Sequence, residues 1–230
     1  MKVGVLFSGG KDSCFAVKYC MDNGFDILSL ISVKPRNEEA YLWHYPTVEL
    51  CKLSADAMGL PIALVRCEEI GPDVEAKCLE PLLAKMKIDA LVLGGVGLQE
   101  TQIKEIAKVA EKFDINVVVP HKNSTSEQLL REEIGQMEIV ITEVAAGGLD
   151  KDWLGRIIDE RAFEALKHLS EKHGFDILGE GGAFNTFVTD APFFKQRIEL
   201  VNPAIVWDTK TRSGYIVSDA MLAEKMAVRV

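Results

Sequence analysis

Apolar and polar positions fall in blocks along the first half of the chain. Val3-Gly4-Val5-Leu6-Phe7 is a short apolar run that ends at Ser8-Gly9-Gly10. A strand buried on both faces has this pattern, and the glycines mark a turn at its end. Asp12 and Ser13 follow as N-cap candidates. Phe15, Ala16 and Tyr19 then recur at helical spacing, and Asn23-Gly24 supplies the stop. The first unit is therefore strand, glycine turn, helix.

The unit repeats. Residues 25–33 predict a second strand, 47–58 a helix stopped by Gly59, and 62–65 a third strand. Residues 73–86 predict a helix, 89–93 a fourth strand, 98–113 a helix and 116–119 a fifth strand ending at Pro120. Alternating strands and helices give an α/β architecture, a doubly wound parallel sheet of five strands with right-handed crossovers.

After residue 121 the rhythm changes. The pattern predicts a short helix over 126–134, a strand over 138–144, a break at Gly147-Gly148 and a helix over 152–173. Residues 184–217 carry short strand-like runs with turns at Pro192, Pro203 and Ser213-Gly214. We expect a first domain over 1–121 and a second, smaller α+β domain over 122–230.

Composition narrows the class. The chain has 230 residues, 48% hydrophobic and 27% charged, enough for a core without disulfide or metal staples. Its net charge of -9 disfavours non-specific nucleic-acid binding, which needs a basic face. Five cysteines, Cys14, Cys20, Cys51, Cys67 and Cys78, include no pair at C-x-x-C spacing, so reduced thiols in a reducing compartment are expected. No apolar run approaches the ~20 residues of a membrane span. No signal peptide is read before the first strand, so the expectation is a cytoplasmic protein. Exposed strand edges and apolar helix faces would permit a homodimer.

Candidate chemistry concentrates in the first turn. Ligands of parallel α/β sheets bind beyond the carboxyl ends of the strands. A helix start there offers free N–H groups and a positive dipole end to an anion. Gly9 and Gly10 allow close backbone approach, Ser8 and Ser13 add hydroxyls, and Lys11 adds a cation. Asp12 beside phosphates needs a divalent metal between, so it is the expected Mg²⁺ ligand. A Walker loop does not fit, because Gly10 stands at its lysine position. A dinucleotide fingerprint fails at Glu100.

Ser8-Gly9-Gly10-Lys11-Asp12-Ser13 resembles the pyrophosphate-binding (PP-loop) motif of the N-type ATP pyrophosphatases. That resemblance implies a Rossmann-like, HUP-type fold and cleavage of ATP to AMP and pyrophosphate, with Lys11 and Asp12 catalytic. It places the nucleotide along Ser8 to Ser13, near Ser32 and Val33 at the end of the second strand and Gly94 and Gly95 after the fourth. Further segments are similar to the diphthine–ammonia ligase family. They are His44 with Val48-Glu49-Leu50 and residues 55–61, then Ala145-Ala146-Gly147-Gly148-Leu149-Asp150, then residues 179–188 with Asp190-Ala191-Pro192-Phe193-Phe194. The implied reaction adenylates the carboxylate of diphthine on translation elongation factor 2 and amidates it with ammonia. Family likeness makes His44, Gln102, Glu180, Gly181, Gly182, Asn185 and Thr186 substrate-binding candidates. The chain departs from the family pattern at Ala183 and Asn185, where acidic residues are usual, and at Pro120-His121-Lys122 and Glu105.

Structural roles compete for several of these residues. His44 among Tyr41, Trp43 and Tyr45 reads equally as a packed loop histidine, and Glu180 as an exposed turn residue. His121 reads as a loop residue, and His168 and His173 as helix C-terminal charges. Cys14 reads as a core thiol beside Phe15. Competing functions keep the loop but change the acceptor to another carboxylate or an RNA base, or reduce the protein to a non-catalytic ATP-binding regulator.

Overall fold

The computed structural model describes residues 1–36, 50–96 and 100–225. They form two compact units, Met1–Cys51 with Leu60–Thr125, and Lys52–Gly59 with Ser126–Val230. The second unit thus includes a helix that lies, in sequence, inside the first.

The first unit is built on five parallel strands: β1 (Lys2–Leu6), β2 (Asp26–Pro35), β3 (Ile62–Cys67), β4 (Ala90–Val92) and β5 (Asn116–Val118). Their order is β3-β2-β1-β4-β5, so β1 sits at the centre, where the winding reverses. The predicted parallel sheet is present. Val3, Val5, Leu30, Ile31 and Leu91 are fully buried in it, which is why these strands read as apolar runs rather than alternating ones. Helix α1 (Lys11–Asp22) follows β1 and is closed by Asn23, whose N–H reaches the carbonyl of Tyr19. Helix α2 (Cys51–Met58) begins where the second unit takes over the chain.

The unbroken helix expected over 73–86 is instead three short turns. They are α3 (Pro72–Glu75), a 3-10 turn Ala76–Leu79, and α4 (Glu80–Leu83). Pro81 explains the break, because it has no N–H for a carbonyl one turn back. Helix α5 (Glu100–Glu111) then leads to β5.

The second unit has helices α6 (Ser126–Ile134) and α7 (Glu160–His173) and four strands: β6 (Glu138–Val144), β7 (Phe184–Asp190), β8 (Arg197–Asp208) and β9 (Ser213–Ala223). The strands form an antiparallel sheet in the order β7-β6-β9-β8. Three expectations are corrected here, the first being the turn expected at Ser213-Gly214: the chain turns over 209–212, and those two residues open β9. The helix predicted from 152 starts at Glu160, because Asp159 caps it, its Oδ1 accepting from Ala162 N at 2.8 Å. Pro203 is not a turn but lies within β8, where the register shifts between Val201 and Ala204. An edge strand tolerates proline because its outward N–H has no ladder partner to lose.

Candidate nucleotide and acceptor sites

The central strand delivers the glycine loop. Beyond β1 the carbonyl of Phe7 accepts Ser32 Oγ at 2.6 Å and Cys51 Sγ at 3.8 Å, while Phe7 N donates to the Ile31 carbonyl at 2.8 Å. The loop is therefore anchored to β2 before it turns. Gly9 turns the chain with φ 77°, a left-handed conformation that costs little only without a Cβ. Gly10 occupies the N-cap of α1 without a side-chain hydrogen bond to the first turn. The amides of that turn thus keep the orientation and dipole that favour an anion.

The two serines brace the loop from inside. Ser13 Oγ donates to the Gly10 carbonyl at 2.9 Å and accepts from Ser8 N at 3.3 Å. Ser8 Oγ lies 3.3 Å from Ser13 Oγ and accepts from Gly10 N at 3.4 Å. Lys11 is almost completely buried and pairs with Asp12, Nζ to Oδ2, at 2.7 Å. The other carboxylate oxygen, Asp12 Oδ1, is buried with no hydrogen-bond partner. A buried acceptor left unmade costs about 1–3 kcal/mol, more when charged. An unpartnered carboxylate oxygen beside a turn whose amides favour an anion fits a divalent cation, which takes carboxylate oxygens.

Gly94 comes to the same place from β4. A Cβ there would lie 2.4 Å from the backbone C and O of Asp12 and 2.8 Å from Ser13 N. Only a glycine lets the end of β4 approach the loop this closely. Gly95 follows with φ 82°. The structure thus brings Ser8, Gly9, Gly10, Lys11, Asp12, Ser13 and Gly94 together. Ser32 and Val33 are buried in β2, and the Ser32 hydroxyl is spent on Phe7. Gln102 is half-buried in the first turn of α5. His44 lies outside the described residues. His121 stacks on Phe15, centroids 4.8 Å apart, and meets Tyr19 edge-on, which ties the end of β5 to α1.

In the second unit the Ala145–Asp150 and 179–188 segments meet. The Ala183 carbonyl accepts from Ala145 N at 2.9 Å and from Ala146 N at 3.1 Å. Glu180, Gly181 and Gly182 form a 3-10 turn leading into β7, with Glu180 half-buried and both glycines exposed. Thr186 is buried at 7% exposure. Asn185 Nδ2 donates to Glu143 Oε2 at 2.6 Å. Sequence reasoning missed Glu143. Its one signal was a carboxylate between the apolar residues of a mostly apolar strand, Glu138-Ile139-Val140-Ile141-Thr142-Glu143-Val144.

Residues 1–117 match the family model described as the diphthamide synthase N-terminal domain, and residues 124–221 match its C-terminal domain. The chain belongs to the diphthamide synthase family. It is 32% identical over 223 residues to the diphthine–ammonia ligase of Rattus norvegicus, covering 86% of this chain and 82% of that one. It is 30% identical to that of Homo sapiens, covering 90% of this chain and 85% of that one. The diphthine–ammonia ligase of Schizosaccharomyces pombe is 27% identical over 98% of this chain, which corresponds to 40% of that protein. Diphthamide synthase relatives therefore align through both units, with the glycine loop at the start of the first.

Proposed function

We propose that the protein is an AMP-forming diphthine–ammonia ligase. The observation that carries this reading is the likeness to diphthine–ammonia ligases along nearly the whole chain, joined to a loop built for phosphate. The first unit binds ATP and the second receives the acceptor. A carboxylate oxygen of diphthine attacks the α-phosphorus, the bond to the bridging oxygen breaks, and pyrophosphate leaves. The nitrogen lone pair of ammonia then attacks the acyl carbon, and AMP leaves with the electron pair of the broken C–O bond. The amide nitrogen gives up a proton to solvent.

The loop serves the first step by positioning and charge. Amides at the start of α1 and the Lys11 ammonium hold the departing pyrophosphate, which lowers the cost of the developing charge. Asp12 is the residue that would hold Mg²⁺, and the metal would neutralise phosphate oxygens there. Glu180, Gly181, Gly182, Asn185 and Thr186 are the acceptor-side residues of the reading, and His44 and Gln102 complete it. The acceptor protein is translation elongation factor 2 bearing diphthine. No helix among the described residues is long and apolar enough to cross a membrane, and we assign the reaction to the cytoplasm, where that factor works.

The test is to incubate the protein with radiolabelled ATP, Mg²⁺, ammonium and diphthine-bearing factor, and to follow the label. AMP formation that requires both factor and ammonium is the expected result. AMP formed without the factor would move the activity to another acceptor, and ADP with phosphate would overturn the reading.

A further inference from the structure

Asn185 on β7 and Glu143 on β6 are Cα partners, and Asn185 Nδ2 donates to Glu143 Oε2 at 2.6 Å. A carboxylate accepts only, so this bond decides which way the amide faces. The NH₂ end is committed to Glu143. The carbonyl Oδ1 is left as an acceptor and takes no hydrogen bond among the described residues. The β6–β7 register shifts between Ile141 and Glu143, leaving Thr142 unpaired in a bulge. Bulges of this kind re-aim the next side chain. On the other side Glu143 is the Cα partner of Tyr215 on β9. Asn185, Glu143 and Tyr215 thus form one row across three strands, on one face of the sheet.

This row offers an amide oxygen held by a carboxylate, with an aromatic residue opposite that carboxylate on β9, and all three residues are half-buried. The combination suits a small cation with several N–H donors. A quaternary ammonium has no N–H to give to Oδ1, whereas NH₄⁺ has four. We infer that Asn185 Oδ1, held in place by Glu143, binds the ammonium that the ligase reaction consumes. Glu143 acts as a positioning residue, and the inference rests on the ligase reading above.

Steady-state AMP formation with ammonium varied, at saturating ATP and acceptor, tests it in wild type, Glu143→Gln and Asn185→Ala. Glutamine keeps the size of Glu143, but its amide can donate to Asn185 Oδ1 and occupy the oxygen. The apparent KM for ammonium should rise by about tenfold in both variants, the effect of losing one charged hydrogen bond. The KM for ATP and the melting temperature should stay at wild-type values. Direct binding is read without turnover, from the saturable line broadening of isotope-labelled ammonium by the wild type and its loss in Asn185→Ala. An unchanged ammonium KM in both variants, with unchanged broadening in Asn185→Ala, would overturn the inference while leaving the ligase intact. So would a joint change in ammonium KM, ATP KM and melting temperature, which marks a bond that only supports the fold. Saturable ammonium binding without ammonium-dependent AMP in the wild type would keep the site and sink the ligase reading.

Discussion

Gly94 lies so close to Asp12 that a Cβ on it would sit 2.4 Å from the Asp12 carbonyl. The close approach is between two backbones, so no side-chain rotation relieves it. The Gly94→Ala variant must move either β4 or the start of α1. Overpacking of this kind costs about 1–3 kcal/mol. The expected outcome is a melting temperature lowered by several degrees, with AMP formation reduced further than the loss of folded protein explains. Differential scanning fluorimetry beside initial-rate measurements checks it. A variant with wild-type rate and melting temperature would mean the loop does not need this approach.

Asp12 carries two duties, the ion pair with Lys11 and the open Oδ1. The Asp12→Asn variant keeps the shape and removes the charge. AMP formation should fall about 100-fold or more, the scale seen when one preorganised electrostatic group is lost. The Mg²⁺ concentration for half-maximal rate should also rise. If the rate falls while the Mg²⁺ midpoint stays fixed, Asp12 serves Lys11 and not the metal.

Burial sets one pH limit on the fold. Desolvation pushes the fully buried Cys20 thiol from its ordinary 9.0 up to about 11. Below pH 9 both folded and unfolded chains keep the proton. Between 9 and 11 the unfolded chain loses it and the folded chain does not, so stability falls as pH rises through that window. Burial, and after it the neighbouring Cys67, also raises the Cys78 thiol, which adds a loss of the same sign. The drop in melting temperature between pH 8 and pH 10.5 should therefore be smaller in Cys20→Ala than in wild type. Equal drops would mean that Cys20 ionises in the folded protein as it does in the open chain.

The parallel sheet was legible because strands buried on both faces leave continuous apolar runs such as Val3 to Phe7, and glycines punctuate their ends. Ser8 to Ser13 was legible because the loop is local, its bonds spanning five residues or fewer. What escaped the sequence was either competing local chemistry or contact at long range. Pro81 broke a helix whose hydrophobic spacing looked continuous, and the Asp159 cap outweighed the helical pattern before it. Pro203 reads as a turn in any window that does not know its strand is an edge. The Ser32 hydroxyl on Phe7 spans 25 residues, and the Glu143–Asn185 bond spans 42. Pairings at that separation are set by the register of strands, which hydrophobic period alone leaves open.

Helix α2 belongs by its contacts to the second unit while its flanking strands belong to the first. Lys195 N donates to the Ala57 carbonyl at 2.6 Å, and the Lys195 side chain covers Gly59. The polypeptide therefore passes from one unit to the other three times, near residues 51, 59 and 125. Neither unit is a severable cassette. A truncation after residue 125 would strand α2 without the Lys195 segment it packs on, and a chimera exchanging only the C-terminal half would inherit a mismatched seam. Recombination that respects the fold has to carry residues 52–59 together with the distant second half.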